Sequence, residues 1–178
     1  MEKLYLKQKV FAIRNKFIFF DAHQNEIYRA RGSLLAMPQR YELFDANDKA
    51  VVEVVRTFFS LMPEFEIFDL ITGTKICKIR KRFRIGRPIL DIVTPQGNYL
   101  ITGSFWVHDF DVVDVQNRKI INVQKQWIAW GDTYEITIDT TLIDKHVAAG
   151  IILAIDCTII IIRGKKTDFQ ACLRCIKN

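Results

Sequence analysis

The sequence predicts a mainly β protein, a closed antiparallel barrel of about twelve strands around one central hydrophobic α-helix. Three observations support this. A strand–turn–strand phrase recurs along residues 17–139. Its strands alternate apolar and polar residues with period two, as expected for a sheet with one buried face. Near the C-terminus an apolar run from Val147 to Ile162 is broken only by Gly150, Asp156 and Thr158.

The N-terminal stretch LYLKQKVFAI reads as the first strand. Four close copies of the phrase follow: FIFFDAHQNEIYRARG, YELFDANDKAVVEVVR, FEIFDLITGTKICKIR and FDVVDVQNRKIINVQK. In each, an alternating strand ends in Asp, a short polar turn follows, and a second strand departs. The marker residues Asp21, Asp45 and Asp69 are 24 positions apart, and Asp114 comes 45 positions later. That longer step holds a looser copy, DIVTPQGNYLITGSF, centred near Thr94. Asp and Asn suit such turns because their side chains bond nearby backbone and tolerate left-handed conformations. A further hairpin is predicted at QWIAWGDTYEITID, with Gly131 and Asp132 as a two-residue turn between Trp130 and Thr133. On its departing strand Tyr134, Ile136 and Ile138 share one face, and Glu135, Thr137 and Asp139 the other.

So many strands form a sheet that curls and closes, which removes its exposed edges. About twelve strands leave an interior too wide for strand side chains alone to fill. The segment Leu142–Ile162 is predicted to fill it as a helix. Its uninterrupted run of 16 residues spans about 24 Å, just short of a transmembrane helix. Asp156 lies past the middle of that run, where a membrane would penalise it. Burial inside the barrel is therefore favoured over a membrane span. Asp144 is the expected N-cap, and Arg163, Lys165 and Lys166 suit the helix C-terminus. Asp156 is expected near the barrel mouth, meeting solvent or backbone amides. Residues 1–178 read as one domain, with a short tail at 163–178.

Apolar residues make up 49% and charged residues 26%, a globular composition. Net charge is +6 and the sequence pI about 9.2, which favours anionic partners. The start of the chain lacks a signal-peptide apolar region, and Cys77, Cys157, Cys172 and Cys175 form no disulfide framework. A reduced, cytoplasmic setting is expected, with contact at the membrane periphery.

The densest charge is KICKIRKRFRIGR, residues 75–87. On a strand, Lys78, Arg80, Arg82 and Arg84 point to one face, with Ile79, Lys81 and Phe83 on the other. Four cations about 6.6 Å apart suit a row of phosphates, though a solvated face accounts for the pattern equally well. No nucleic-acid motif accompanies the stripe, so nucleic acid is not an expected partner. The CxxC pair Cys172 and Cys175 lacks a second ligand pair for zinc, and no metal is expected. His23 falls in a turn, His108 beside Asp109 on a strand, and His146 at the helix start. With no nucleophile motif and no Gly-rich phosphate loop, neither catalysis nor a cofactor is expected. Trp106, Trp127 and Trp130 suit core or rim packing or an interfacial membrane belt. Asp156, an acid on an apolar helix, needs a partner or must stay protonated.

The Asp-turn hairpins, the segment WIAWGDTYEITID and the apolar stretch ending in LAID resemble the LURP-one-related family along nearly the whole chain. The resemblance implies the tubby C-terminal-like fold, a twelve-stranded closed barrel around a hydrophobic helix. It also implies kinship with phosphoinositide-binding tubby proteins and with phospholipid scramblases. No tubby headgroup motif matches here, so no binding residue is carried over. The resulting expectation is a non-enzymatic module that binds anionic phospholipid headgroups or a membrane surface through Lys78, Arg80, Arg82 and Arg84. The rivals are a scaffold for an acidic protein partner and a membrane-anchored, scramblase-like protein. Oligomeric state is not legible in the sequence.

Overall fold

A computed structural model describes residues 1–8, 15–33, 39–57, 64–84, 87–95, 97–128 and 131–162. Twelve strands follow in chain order: β1 Glu2–Gln8, β2 Asn15–Phe20, β3 Glu26–Ser33, β4 Arg40–Asp45, β5 Ala50–Thr57 and β6 Glu64–Asp69. Then come β7 Thr74–Arg84, β8 Arg87–Thr94, β9 Gly97–Ser104, β10 Asp109–Val113, β11 Lys119–Ile128 and β12 Gly131–Ile138. A 3₁₀ turn, Phe105–Val107, links β9 to β10, and one helix, α1 Lys145–Ile162, follows β12. Each strand pairs antiparallel with the next, and β1 pairs with β12 to close the barrel.

The repeated aspartates build the turns. Asp21 Oδ1 accepts hydrogen bonds from the backbone N–H groups of His23 and Asn25, both at 2.8 Å. Asp45 does the same for Asn47 and Lys49 at 2.9 Å, and Asp114 for Gln116 at 2.9 Å and Arg118 at 2.8 Å. Asp69 takes Ile71 at 2.8 Å and Thr72 at 3.3 Å. These bonds hold a left-handed residue in each turn, with φ of 68° at Gln24, 61° at Asp48, 61° at Asn117 and 71° at Gly73. Without such support a non-glycine residue avoids that region. Asp139 repeats the device, accepting from the Thr141 N–H at 3.1 Å where the chain turns from β12 into α1. All of these turns lie at one end of the barrel, hereafter the Asp rim.

Period two then fixes the interior. Leu4 and Leu6, Phe17 and Phe19, Phe65 and Ile67, Ile121 and Val123, and Ile136 and Ile138 are all buried. Helix α1 fills the space between them and packs most closely on β5, β6 and β7. It is buried on every side from Val147 to Ile159, as the sequence predicts for an enclosed helix. The consecutive residues Ile151, Ile152, Leu153 and Ala154 point around the axis in steps of about 100°, yet none is more than 2% exposed. Gly150 permits the closest approach: a Cβ there would lie 2.6 Å from Val52 Cγ1. Among the described residues no helix is long and apolar enough to cross a membrane.

Two boundaries differ from expectation. Helix α1 begins at Lys145, not Leu142, because Asp139 holds residues 140–144 in a turn. The Asp144 carbonyl accepts from the Ala148 N–H at 2.9 Å, which is the backbone role of an N-cap. Gly131 and Asp132 are not a turn either. They belong to β12 and pair with Ile128 and Trp127, so residues 129–130 form the link. This register sets Ile136 against Val123 and Ile138 against Ile121, apolar on apolar. A turn at Gly131-Asp132 would instead set Ile138 against Lys125. Side-chain matching on the buried face outweighs turn preference.

Candidate functional site

The predicted cationic stripe lies on β7. Cys77 and Ile79 are buried, so Lys78 and Arg80 stand on the outer face, as alternation requires. Both meet acids from neighbouring strands. Lys78 Nζ is 2.5 Å from Glu64 Oε2, and Arg80 Nε is 3.6 Å from Asp91 Oδ2. Lys75 Nζ is likewise 2.5 Å from Glu66 Oε1. The two lysine pairs are partly exposed and stabilise by about 0–1 kcal/mol each, whereas Asp91 is buried. In the ladder with β8, Arg82 stands opposite Ile89 and Arg84 opposite Arg87. The side chains of Arg82, Phe83 and Arg84 lie outside the described residues.

A buried polar cluster forms at the other end of the interior. His108 lies in the β9–β10 link, not on a strand, and Asp156 meets neither solvent nor backbone amides as expected but a side chain of that link. His108 follows the 3₁₀ turn in the left-handed conformation, φ 55°, and is 9% exposed. A hydrogen bond of 2.7 Å joins its Nε2 to Asp156 Oδ1, and Asp156 is 4% exposed. The His108 ring stacks on Tyr134, with centroids 3.9 Å apart and planes at 25°. Asp156 Oδ2 has no hydrogen-bond partner among the described residues. An acid so deep in apolar surroundings demands a partner, and only a residue outside the helix can supply one. Its place in the apolar run advertised that demand, and three histidines were the natural candidates. The sequence lacked a way to know that the β9–β10 link folds inward.

The other residues of interest are inert or unassembled. His23 donates only its backbone N–H to the Asp21 turn. His146, near the start of α1, has Nε2 3.4 Å from Asp69 Oδ1. Cys77 is buried, and burial pushes its thiol up to about 12, outside the range of a working nucleophile. Cys157 is buried, while Cys172 and Cys175 lie outside the described residues. Trp106 is half-buried against Phe105. The side chain of Trp127, and Trp130 altogether, lie outside the described residues. Among the described residues no cluster of His, Cys, Asp and Glu is placed to hold a metal ion.

Barrel, Asp turns and enclosed helix together invite comparison with known proteins. Residues 2–156 match the LURP-one-related family. The chain belongs to that family. This LURP-one-related protein is 28% identical over 138 residues to the uncharacterized protein YxjI of Bacillus subtilis strain 168, covering 78% of this chain and 82% of that one. It also resembles a solved structure of an Arabidopsis thaliana protein at a TM-score of 0.61 and 12% identity, covering 87% of this chain and 90% of that one. At that identity the likeness speaks for the fold alone, and neither comparison brings an activity with it.

Proposed function

We propose that this LURP-one-related protein is a non-enzymatic binding module that docks on anionic phospholipid headgroups through the β7–β8 hairpin. The ladder register at the hairpin's end carries this reading: Arg84 stands opposite Arg87, with Arg82 two residues before Arg84. Alternation along β7 puts Lys78, Arg80, Arg82 and Arg84 on one face of the strand. Lys78 and Arg80 extend the positive row. The Lys78–Glu64 pair is partly exposed and weak enough to exchange for a phosphate oxygen, whereas Arg80 Nε sits beside the buried Asp91 carboxylate.

Each cation near an anionic bilayer contributes about 1 kcal/mol, so four give about 4 kcal/mol, or roughly a thousandfold in partitioning. Co-sedimentation with phosphatidylcholine vesicles, with and without phosphatidylserine, tests this. Wild type should bind only the anionic vesicles, and less as salt rises. The variant Arg82→Ala/Arg84→Ala should bind about thirtyfold more weakly while melting like wild type. Absence of wild-type binding at low salt, or unchanged binding by the folded variant, refutes the reading.

A further inference from the structure

We propose that Asp91 is a positioning residue, which pins the neck of Arg80 and leaves the two terminal guanidinium nitrogens facing outward as a preset fork for one phosphate group. This rests on the headgroup reading above and adds to it which cation of the row reads a phosphate and what holds it ready.

Asp91 is in an unusual place for an acid. Along β8 its neighbours Leu90 and Ile92 are buried in the interior, so Asp91 points to the outer face of the barrel. A carboxylate on an outer face is ordinarily solvated, yet Asp91 is only 4% exposed. The ladder sets it directly opposite Arg80 on β7 and Leu100 on β9. Arg80 Nε lies 3.6 Å from Asp91 Oδ2, close enough for an ion pair and too far for a hydrogen bond.

The arginine is divided between two environments. Its Nε is buried without a hydrogen-bond partner, while the side chain as a whole is 44% exposed. Neither terminal nitrogen is buried, and neither has a hydrogen-bond partner among the described residues, so both face solvent. On its other side Arg80 stands opposite Glu64, but that carboxylate is taken by Lys78 at 2.5 Å. The guanidinium is thus held by charge at its neck, and its outer donors stay open. A planar fork of two N–H groups matches two oxygens of one phosphate, which a lysine ammonium cannot do. Rotamer freedom that a loose arginine would lose on binding is already given up to Asp91.

Co-sedimentation with phosphatidylcholine vesicles containing phosphatidic acid, whose phosphate is terminal, tests this on Asp91→Asn, Arg80→Lys and the double variant. Melting temperature is recorded for each, and Arg80→Lys, at a half-exposed site, carries the test if Asp91→Asn folds poorly. Asp91→Asn removes a negative charge, so bulk attraction alone would tighten binding about fivefold. Loss of a positioning residue should instead weaken it about tenfold, the worth of one charge-assisted contact. Arg80→Lys keeps the charge, loses the fork and should weaken binding equally. The double variant should bind no worse than either single one, because Asp91 acts through Arg80. Tighter or unchanged binding by Asp91→Asn, or additive losses in the double variant, overturns the positioning role. Wild-type binding by Arg80→Lys overturns the fork. In these cases the headgroup reading stands as long as Arg82→Ala/Arg84→Ala still weakens binding. Inorganic phosphate at constant ionic strength should leave vesicle binding in place; complete displacement would assign the fork to a free phosphate compound and overturn the membrane reading. Failure of wild type to bind any anionic vesicle overturns both.

Discussion

Replacing His108 with Leu removes the partner of Asp156 Oδ1 and the ring stacked on Tyr134, while leaving an apolar side chain of similar bulk. The buried carboxyl then lacks a described partner on either oxygen. An orphaned buried polar group costs about 1–3 kcal/mol, and the lost ring pair about 0.5–1.5 kcal/mol more. The expected destabilisation is therefore about 2–4 kcal/mol, a large share of a domain's total stability. Asp156→Leu alone should cost about 1–3 kcal/mol by orphaning His108 Nε2 instead. The double variant should cost clearly less than the sum, because neither group is left stranded. Urea unfolding of the four proteins, with slopes compared to verify two-state behaviour, gives the coupling. Additivity within about 0.5 kcal/mol would show that the His108–Asp156 contact is not an energetic unit.

Two further outcomes are expected. Gly150→Val should destabilise severely, because its Cβ would meet Val52 Cγ1 at 2.6 Å. Gly73→Ala, at φ 71° with open space around it, should cost only about 1 kcal/mol, and matching melting curves for the two variants would contradict the close helix–β5 approach. The turns should also set the acid limb of stability. Asp21 and Asp139 are held below the ordinary carboxylate value of 3.8, chiefly by the Asn25 side chain and the Thr141 hydroxyl. At Asp69 and Asp114 burial pushes upward but is outweighed, by bonds from Ile71 and Thr72 and from Arg118 and Gln116 respectively. A lowered folded value means this stability is fully present well above pH 3.8 and is lost as pH falls through the folded values. Melting temperature should therefore hold at neutral pH and fall below about pH 4, with a shallower fall in Asp114→Asn. An identical acid limb in that variant would show that the turn carboxylates do not govern it.

The architecture was legible because two of its signals are local. Asp turns at Asp21, Asp45, Asp69 and Asp114 announce hairpins, and the strands around them alternate apart from buried runs such as Phe17–Phe19 and Val51–Val52. The helix was legible because its run from Val147 to Ile162 has no polar face to offer water. What escaped was non-local. The β11–β12 register depends on which apolar side chains meet inside the barrel, and turn propensity at Gly131-Asp132 pointed elsewhere. The partner of Asp156 lies 48 residues earlier in the chain. No periodicity connects a helix position to a histidine held in a left-handed link. The stripe on β7 was foreseen as a face, but its pairing with Glu64 and Asp91 follows from strand neighbours that alternation does not identify.

Because β1 closes the barrel on β12, the first and last strands of the sheet in chain order must find each other across the whole sheet. The helix they enclose is made later still. Until β12 is made, a sheet of β1 through β11 would have unpaired edges and an inner face with nothing to cover it. Such long-range closure is slow, and the unfinished form is prone to associate with its own kind. Glu2 and Lys3, charged residues on β1, give that waiting edge a surface that discourages stacking. Helix insertion and seam closure are thereby coupled, and yield in the cell should depend on how quickly β12 and α1 follow β11 as well as on the stability of the finished barrel.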